Sequence, residues 1–270
     1  MTSTAIDAGV FLLLVSASVL ALGSAMEPTG PFASSPAAGA GTDVLATTAT
    51  VAFDPRTPDV ETGTTAADER RVHGSLRELI ARGTVAGAGI DGNALDPDGV
   101  AFRRAVEREL DARLDGRTQV IASWEPVDGS EFHGELRAGR TPPTDAAVHA
   151  AVVSVPTPFH PADVDDPDDV RSFASAFVDD RFPVESLRAD LRGDDAAAAH
   201  AELRYQQAAA LTLGDNTALE GATPAEANAA IAGGLAGRLT DGSNTTTRSP
   251  TRSNGTDRDG ASVRIVVRRW

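Results

Sequence analysis

The sequence predicts an α+β protein: an N-terminal transmembrane helix, a flexible stalk, and an extracytoplasmic domain with a small mixed sheet packed by helices. Three observations predict it. Residues 8–26 carry no charge and are largely apolar, a stretch rich in Pro, Gly, Ala and Ser follows, and the rest alternates β-rich with helix-periodic segments. The boundaries fall at 1–26 for the anchor, 27–42 for the stalk, 43–239 for an acidic α+β domain, 240–260 for a Ser/Thr/Arg low-complexity loop and 261–270 for a C-terminal strand.

The anchor rests on length. At 1.5 Å per residue the 19 residues of 8–26 span about 28 Å of helix, close to the ~30 Å hydrocarbon core of a bilayer. Val10, Phe11, Leu12, Leu13, Leu14, Val15, Val19, Leu20 and Leu22 supply the lipid-facing surface, and Asp7 and Glu27 fence the run. A cleaved secretory peptide would use Gly23 and Ala25 at the cut, but such peptides begin with a basic region and the first base here is Arg56. A buried soluble helix would show a polar face, which Ser16, Ser18 and Ser24 hardly make. Ala17, Ala21 and Ala25 form a small-residue row suited to helix–helix association.

Beyond the stalk, 44–53 (VLATTATVAF) reads as a strand and 66–82 as a helix, with Val72, Leu76, Leu79 and Ile80 on one stripe. Asp96-Pro97-Asp98 opens a helix to about Leu114 with Phe102, Val106, Leu110 and Leu114 every fourth residue. Residues 119–124 and 131–138 read as strands joined by Asp128-Gly129 hairpin chemistry. The run 146–155 fits either type, its β-branched finish favouring a strand. Helices are predicted at 170–178, 183–191, 194–213 and 224–239, and a strand at 263–267 that docks into the sheet, because a free VRIVV edge invites aggregation.

Charge bounds the function. There are 39 acids and 24 bases, every base is arginine, and Asp outnumbers Glu 26 to 13, which suits a carboxylate-rich surface in concentrated salt better than a GC-rich codon bias alone. Residues 27–239 carry a net charge of −17, whereas 240–270 carry +3. No basic stripe interleaved with aromatics exists, so nucleic acid is not an expected partner. Without cysteine or lysine, thiolate metal sites, cysteine nucleophiles and Schiff-base chemistry are excluded. The acidic run Asp163, Asp165, Asp166, Asp168, Asp169 lacks the glycine and closing acid of a calcium loop and reads as a helix N-cap. No two of His73, His133, His149, His160 and His200 stand at metal-binding helical spacing, and Arg70-Arg71 and Arg103-Arg104 read as solvated helix faces. No catalytic residue, cofactor or metal is therefore expected. Asn244 and Asn254 begin Asn-x-Thr sequons, candidate glycosylation sites that place the domain outside the cell.

Several stretches, IDAGVFLLLVSASVLAL at 6–22, DVLATTAT at 43–50, HGSLRELIARGTV at 73–85, Trp124-Glu125-Pro126, PPTDAAVHAAVVSVP at 142–156 and the closing VVRRW, carry a further signal. Together they resemble an uncharacterised haloarchaeal family encoded near type IV pilus-like or Tad-like secretion genes. That resemblance implies a single-pass protein of the cell envelope, a minor pilin-like or assembly component. No base precedes the apolar run, so the processing of pilin precursors is not implied. The expected function is a non-enzymatic, membrane-anchored structural or assembly component, contacting lipid through residues 8–26 and protein partners in an envelope complex. The alternative is a surface-tethered binding module for a solute or polymer, with Trp124, His133 and His149 the first residues to inspect.

Overall fold

The computed structural model describes residues 42–55, 69–193, 195–245 and 261–270, all within one compact unit spanning Ser35–Trp270. The predicted anchor, with Val10–Leu22 and the Ala17, Ala21, Ala25 row, lies outside the described residues, as do most of the stalk and Asn254. Among the described residues no helix is long and apolar enough to cross a membrane.

A helical turn at 42–46 buries Leu45 and leads into β1 (Thr48–Phe53), whose Ala49 and Val51 point inward. Its partner is β2 (Arg70–Ser75), antiparallel, with Val51 opposite Val72. Here the helix predicted over 66–82 is corrected. Residues 70–75 are a strand because Val72 and Gly74 pair across to β1, and Ser75 stops it by capping α1 (Leu76–Ala86). Ser75 accepts the Glu78 N–H while the Glu78 carboxylate accepts the Ser75 N–H, a reciprocal capping box. Val72 had matched the helical stripe only by coincidence of spacing. The strand predicted from residue 44 starts at Thr48, and the β1–β2 pair stands apart from the main sheet rather than joining it.

Two very short strands, β3 (Gly89–Ile90) and β4 (Asn93–Ala94), precede α2 (Pro97–Asp111), which Asp96 caps by accepting the Asp98 N–H. Then come β5 (Thr118–Trp124), β6 (Phe132–Gly139) and β7 (His149–Pro156). Gly129, at φ 76°, turns the β5–β6 connection as the sequence anticipated. The helices α3 (Pro167–Arg181), α4 (Val184–Asp190), α5 (Asp195–Leu213) and α6 (Pro224–Thr245) follow, and β8 (Ser262–Arg269) closes the described chain. The helix α6 runs past residue 239, so the predicted low-complexity loop starts later and Asn244 sits on the last turn of a helix.

The main sheet has the order β4-β3-β6-β5-β8-β7, and every pairing in it is antiparallel, which corrects the expected mixed sheet. The reason is topological: the long α3–α6 excursion returns β8 between β5 and β7 in the direction opposite to both. One face is apolar. Val120, Ala122 and Trp124, Leu136 and Ala138, and Val263, Ile265 and Val267 are buried there. Trp124, Phe132, Phe173 and Phe177 meet on that face with ring centroids 5.2–6.3 Å apart, so α3 is fixed against the sheet by aromatic edge and face contacts. Gly134 lets α1 approach closely, since a Cβ there would overlap the Thr84 carbonyl.

Candidate functional site

The ends of several elements converge on a cleft of about 560 Å³, walled by Phe53 and Val72 from the β1–β2 pair, Arg82 and Val85 from α1, Phe102 from α2, and Arg181 from α3. At its floor lies a charge cluster that spacing could not reveal. Asp96 and Asp98 come from the start of α2, whereas Arg204 and His200 come from α5, more than one hundred residues later. Arg204 donates to both Asp96 oxygens at 2.9 and 2.8 Å and to the Arg181 carbonyl at 2.7 Å. Its guanidinium carbon also sits 5.1 Å from the Phe182 ring centroid. Asp98 faces His200 at 2.7 Å and both Arg70 and Arg204 at 3.5 Å.

Electrostatics follow from enclosure. Burial favours the neutral acid at Asp96 and raises its pKa, with Asp98 adding to the rise and Arg204 opposing it. For Arg204, burial pulls down, but Asp96 and its hydrogen bonds, with Asp98, more than compensate and hold the guanidinium charged. We therefore take the two as a charged pair in bidentate geometry. Such a pair is costly to desolvate, so its value is in fixing α5 against α2 in one register rather than in net stability. Nearby, the Tyr205 hydroxyl donates to Asn228 Oδ1 at 3.0 Å, and Asn228 Nδ2 donates to the Phe182 carbonyl at 2.8 Å, joining α5, α6 and the end of α3.

Arg181 is placed differently. Its guanidinium carbon lies 5.9 Å from the Phe159 centroid and 5.3 Å from that of Phe177, and its one ion pair among the described residues is a 3.5 Å contact to the neighbouring Asp180. Burial lowers its pKa from the usual arginine value; Asp180 and Asp96 resist, while Arg82 and Arg204 add to the fall.

The second distinctive region is the sheet margin. Beyond β3, the free edge of β6 is covered by α2 at four-residue intervals. Arg103 donates to the Glu135 carbonyl at 3.0 Å, Glu107 accepts the Arg137 N–H, and Asp111 accepts the Gly139 N–H at 2.6 Å. The opposite edge, β7, has no such cover: no described strand pairs with its outer side, and Ala150, Val152, Ser154 and Pro156 are exposed. Val152 keeps 52% of its accessible surface. The face it belongs to carries Ile121, Val266 and Val152 in one cross-strand row, flanked by Arg137, Arg264 and Arg268.

Of the residues singled out from sequence, Trp124 is core and borders neither the cleft nor the second hollow, His133 borders that second hollow with Arg103 and Gln207, and His149 lies on the bare edge. His73 pairs with Thr50 across the β1–β2 sheet at 3.0 Å. Asp166 caps α3 through the Asp168 N–H at 2.8 Å, which is the capping role its run suggested. Arg70 and Arg71 stand on a strand, not on the helix face expected for them, and reach Asp98 and Glu69. Among the described residues no group of three potential ligands comes together as a metal site.

The described fold is thus an antiparallel sheet backed by helices on one face, with an arginine-walled cleft at its margin. The chain belongs to DUF7284, a family of unknown function, whose family model matches residues 6–270. No curated protein and no solved structure matches it.

Proposed function

We propose that this protein is a non-enzymatic structural or assembly component of a pilus-like or secretion complex in the envelope of a halophilic archaeon, tethered by residues 8–26. The observation that carries the reading is the asymmetry of the sheet edges. One edge is closed hydrogen bond by hydrogen bond by α2, and the other is eight residues long, contains no Lys, Arg, Asp or Glu, carries its one proline only at the last residue, Pro156, and is paired by no described strand on its outer side. Proteins that do not use such an edge usually blunt it with charge, proline or a bulge. Strand addition by an extended segment would complete it, and Arg264 and Arg268 on the neighbouring strand suit a segment whose outward side chains are acidic.

The test is affinity capture of the full chain from native membranes, comparing wild type with Val152→Lys, a change at an exposed position that guards the edge without touching the core. Co-purification of the ATPase or platform protein of the secretion machine with wild type and its loss with the variant are expected. Recovery of the wild-type chain alone, from cells in which the machine is intact, would overturn the reading.

A further inference from the structure

The cleft holds two guanidinium groups with donors to spare: Arg181, whose one ion pair among the described residues is the 3.5 Å contact to Asp180, and Arg82. Asp96 is taken by Arg204, and Asp98 is shared among Arg204, His200 and Arg70. Arg181, with 16% of its side-chain surface accessible, packs against the rings of both Phe159 and Phe177, which fix its position along with the 3.5 Å contact to Asp180. Its Nε is buried with no acceptor. Arg103 Nε and Trp124 Nε1 are likewise buried without a partner, and an atom this enclosed is not reached from the cleft, so a ligand would meet the terminal nitrogens of Arg181 instead. Arg82, on α1, lines the same cavity and makes no hydrogen bond or ion pair among the described residues. The facing wall is apolar, built from Phe53, Val72, Val85 and Phe102.

We propose that this cleft binds a singly charged carboxylate carried on an apolar body, the carboxylate bridging Arg181 and Arg82 and the aryl or branched aliphatic part resting on Phe53 and Phe102. A planar two-oxygen anion matches the fork of a guanidinium. A multiply charged inorganic ion fits less well, because Asp180 and Asp190 also line the cleft and would repel the second charge, while the apolar wall would gain nothing from it. The same carboxylate could arrive on a free metabolite or on the end of a polypeptide. The cleft meets the bare strand only at the strand's last residue, Pro156, and Arg181 and Arg82 lie on other elements, so the carboxylate site does not rest on the assembly role.

Isothermal titration of the full chain in detergent, with a micelle blank, tests it with phenylacetate as probe, phenylacetamide and sodium sulfate as comparators, and a short peptide ending in phenylalanine to separate the two sources. Phenylacetate is expected to bind at least about ten-fold more tightly than the amide or sulfate, the difference a charge-assisted hydrogen bond makes. The peptide binding more tightly than phenylacetate assigns the site to chain ends, and the reverse assigns it to free metabolites; either supports a carboxylate site. Arg181→Met should abolish binding. Since Arg181 also packs on two rings, Arg82→Gln is the deciding variant: it should leave the melting temperature unchanged and weaken phenylacetate by about three- to ten-fold. Equal affinity for phenylacetate and its amide, or for sulfate, or an Arg82→Gln protein that binds like wild type, would overturn the proposal.

Discussion

Replacing Arg204 with methionine removes the cation from a cluster that water barely reaches. Arg204 keeps 7% of its side-chain surface accessible and Asp96 keeps 5%, and three hydrogen bonds of 2.7–2.9 Å end on this one guanidinium. Methionine matches the stem and still touches Phe182, so little cavity is created. The loss comes from Asp96, left charged and unpaired or forced to take up a proton, and breaking a buried pair in this way costs about 3–5 kcal/mol. For a domain of this size that corresponds to a fall in melting temperature of roughly 6–20 °C. Urea unfolding at fixed high salt measures it directly. Adding Asp96→Asn to the variant should return a large part of the loss, because a neutral amide can still cap the Asp98 N–H without leaving a charge behind. If Arg204→Met costs less than about 1 kcal/mol, or if the double variant is no more stable than the single, the cost does not arise from an orphaned charge and the reasoning fails.

Tyr205 is the only tyrosine in the chain, so tyrosinate absorbance reports this residue alone. Burial pushes its hydroxyl up to about 12 in the folded protein from an ordinary 10.0, so the stability it contributes is complete below pH 10 and is lost as pH rises through about 12; a native midpoint at 10 would contradict this, and Tyr205→Phe should remove the alkaline loss. Ser75→Ala breaks the capping box of α1 and should cost about 1 kcal/mol by thermal or urea unfolding at neutral pH. The side-chain and backbone hydrogen bonds of Ser75 hold the Glu78 carboxyl below its usual 4.5, so that contribution is present above pH 4.5 and fades as pH falls through the lowered value; the variant's deficit should shrink in acid. Gly134→Ala should cost about 1–3 kcal/mol or more in urea unfolding, because the added methyl meets the Thr84 carbonyl rather than open space.

Local signals carried much of the fold. The Asp-Gly turn, the four-residue stripe of Phe102, Val106 and Leu110, and the alternation around Phe132, Gly134 and Leu136 each name their element, because burial on one side leaves a period in the sequence. Residues 70–75 defeated the same logic, since a six-residue strand that is only partly buried, with Val72 its one large apolar residue, offers too few apolar positions to outweigh the helix that follows. The short β3 and β4 strands leave no period at all. For the cleft, Asp96 and Asp98 read correctly as a helix start, yet nothing in ALDPDGV or AELRYQQ announces that Arg204 will cross to meet them. Partners 108 residues apart are joined by topology, and an Ala-rich helix such as α5 has no sharp apolar stripe to say which side faces inward. The arginine at 204 interrupting that helix was the one available hint.

The strand β8 lies between β5 and β7, and among the described strands β7 has no other partner. Roughly a third of the chain separates β7 from the partner that fixes it, so the order of synthesis and the order of assembly run against each other. While the polypeptide is being made, β3, β4, β5 and β6 have their partners at hand, but β7 has none until residues 262–269 have appeared. A sheet wired in this way keeps β7 dependent on a strand far along the chain, and any cut that frees β8 would release β7 as well.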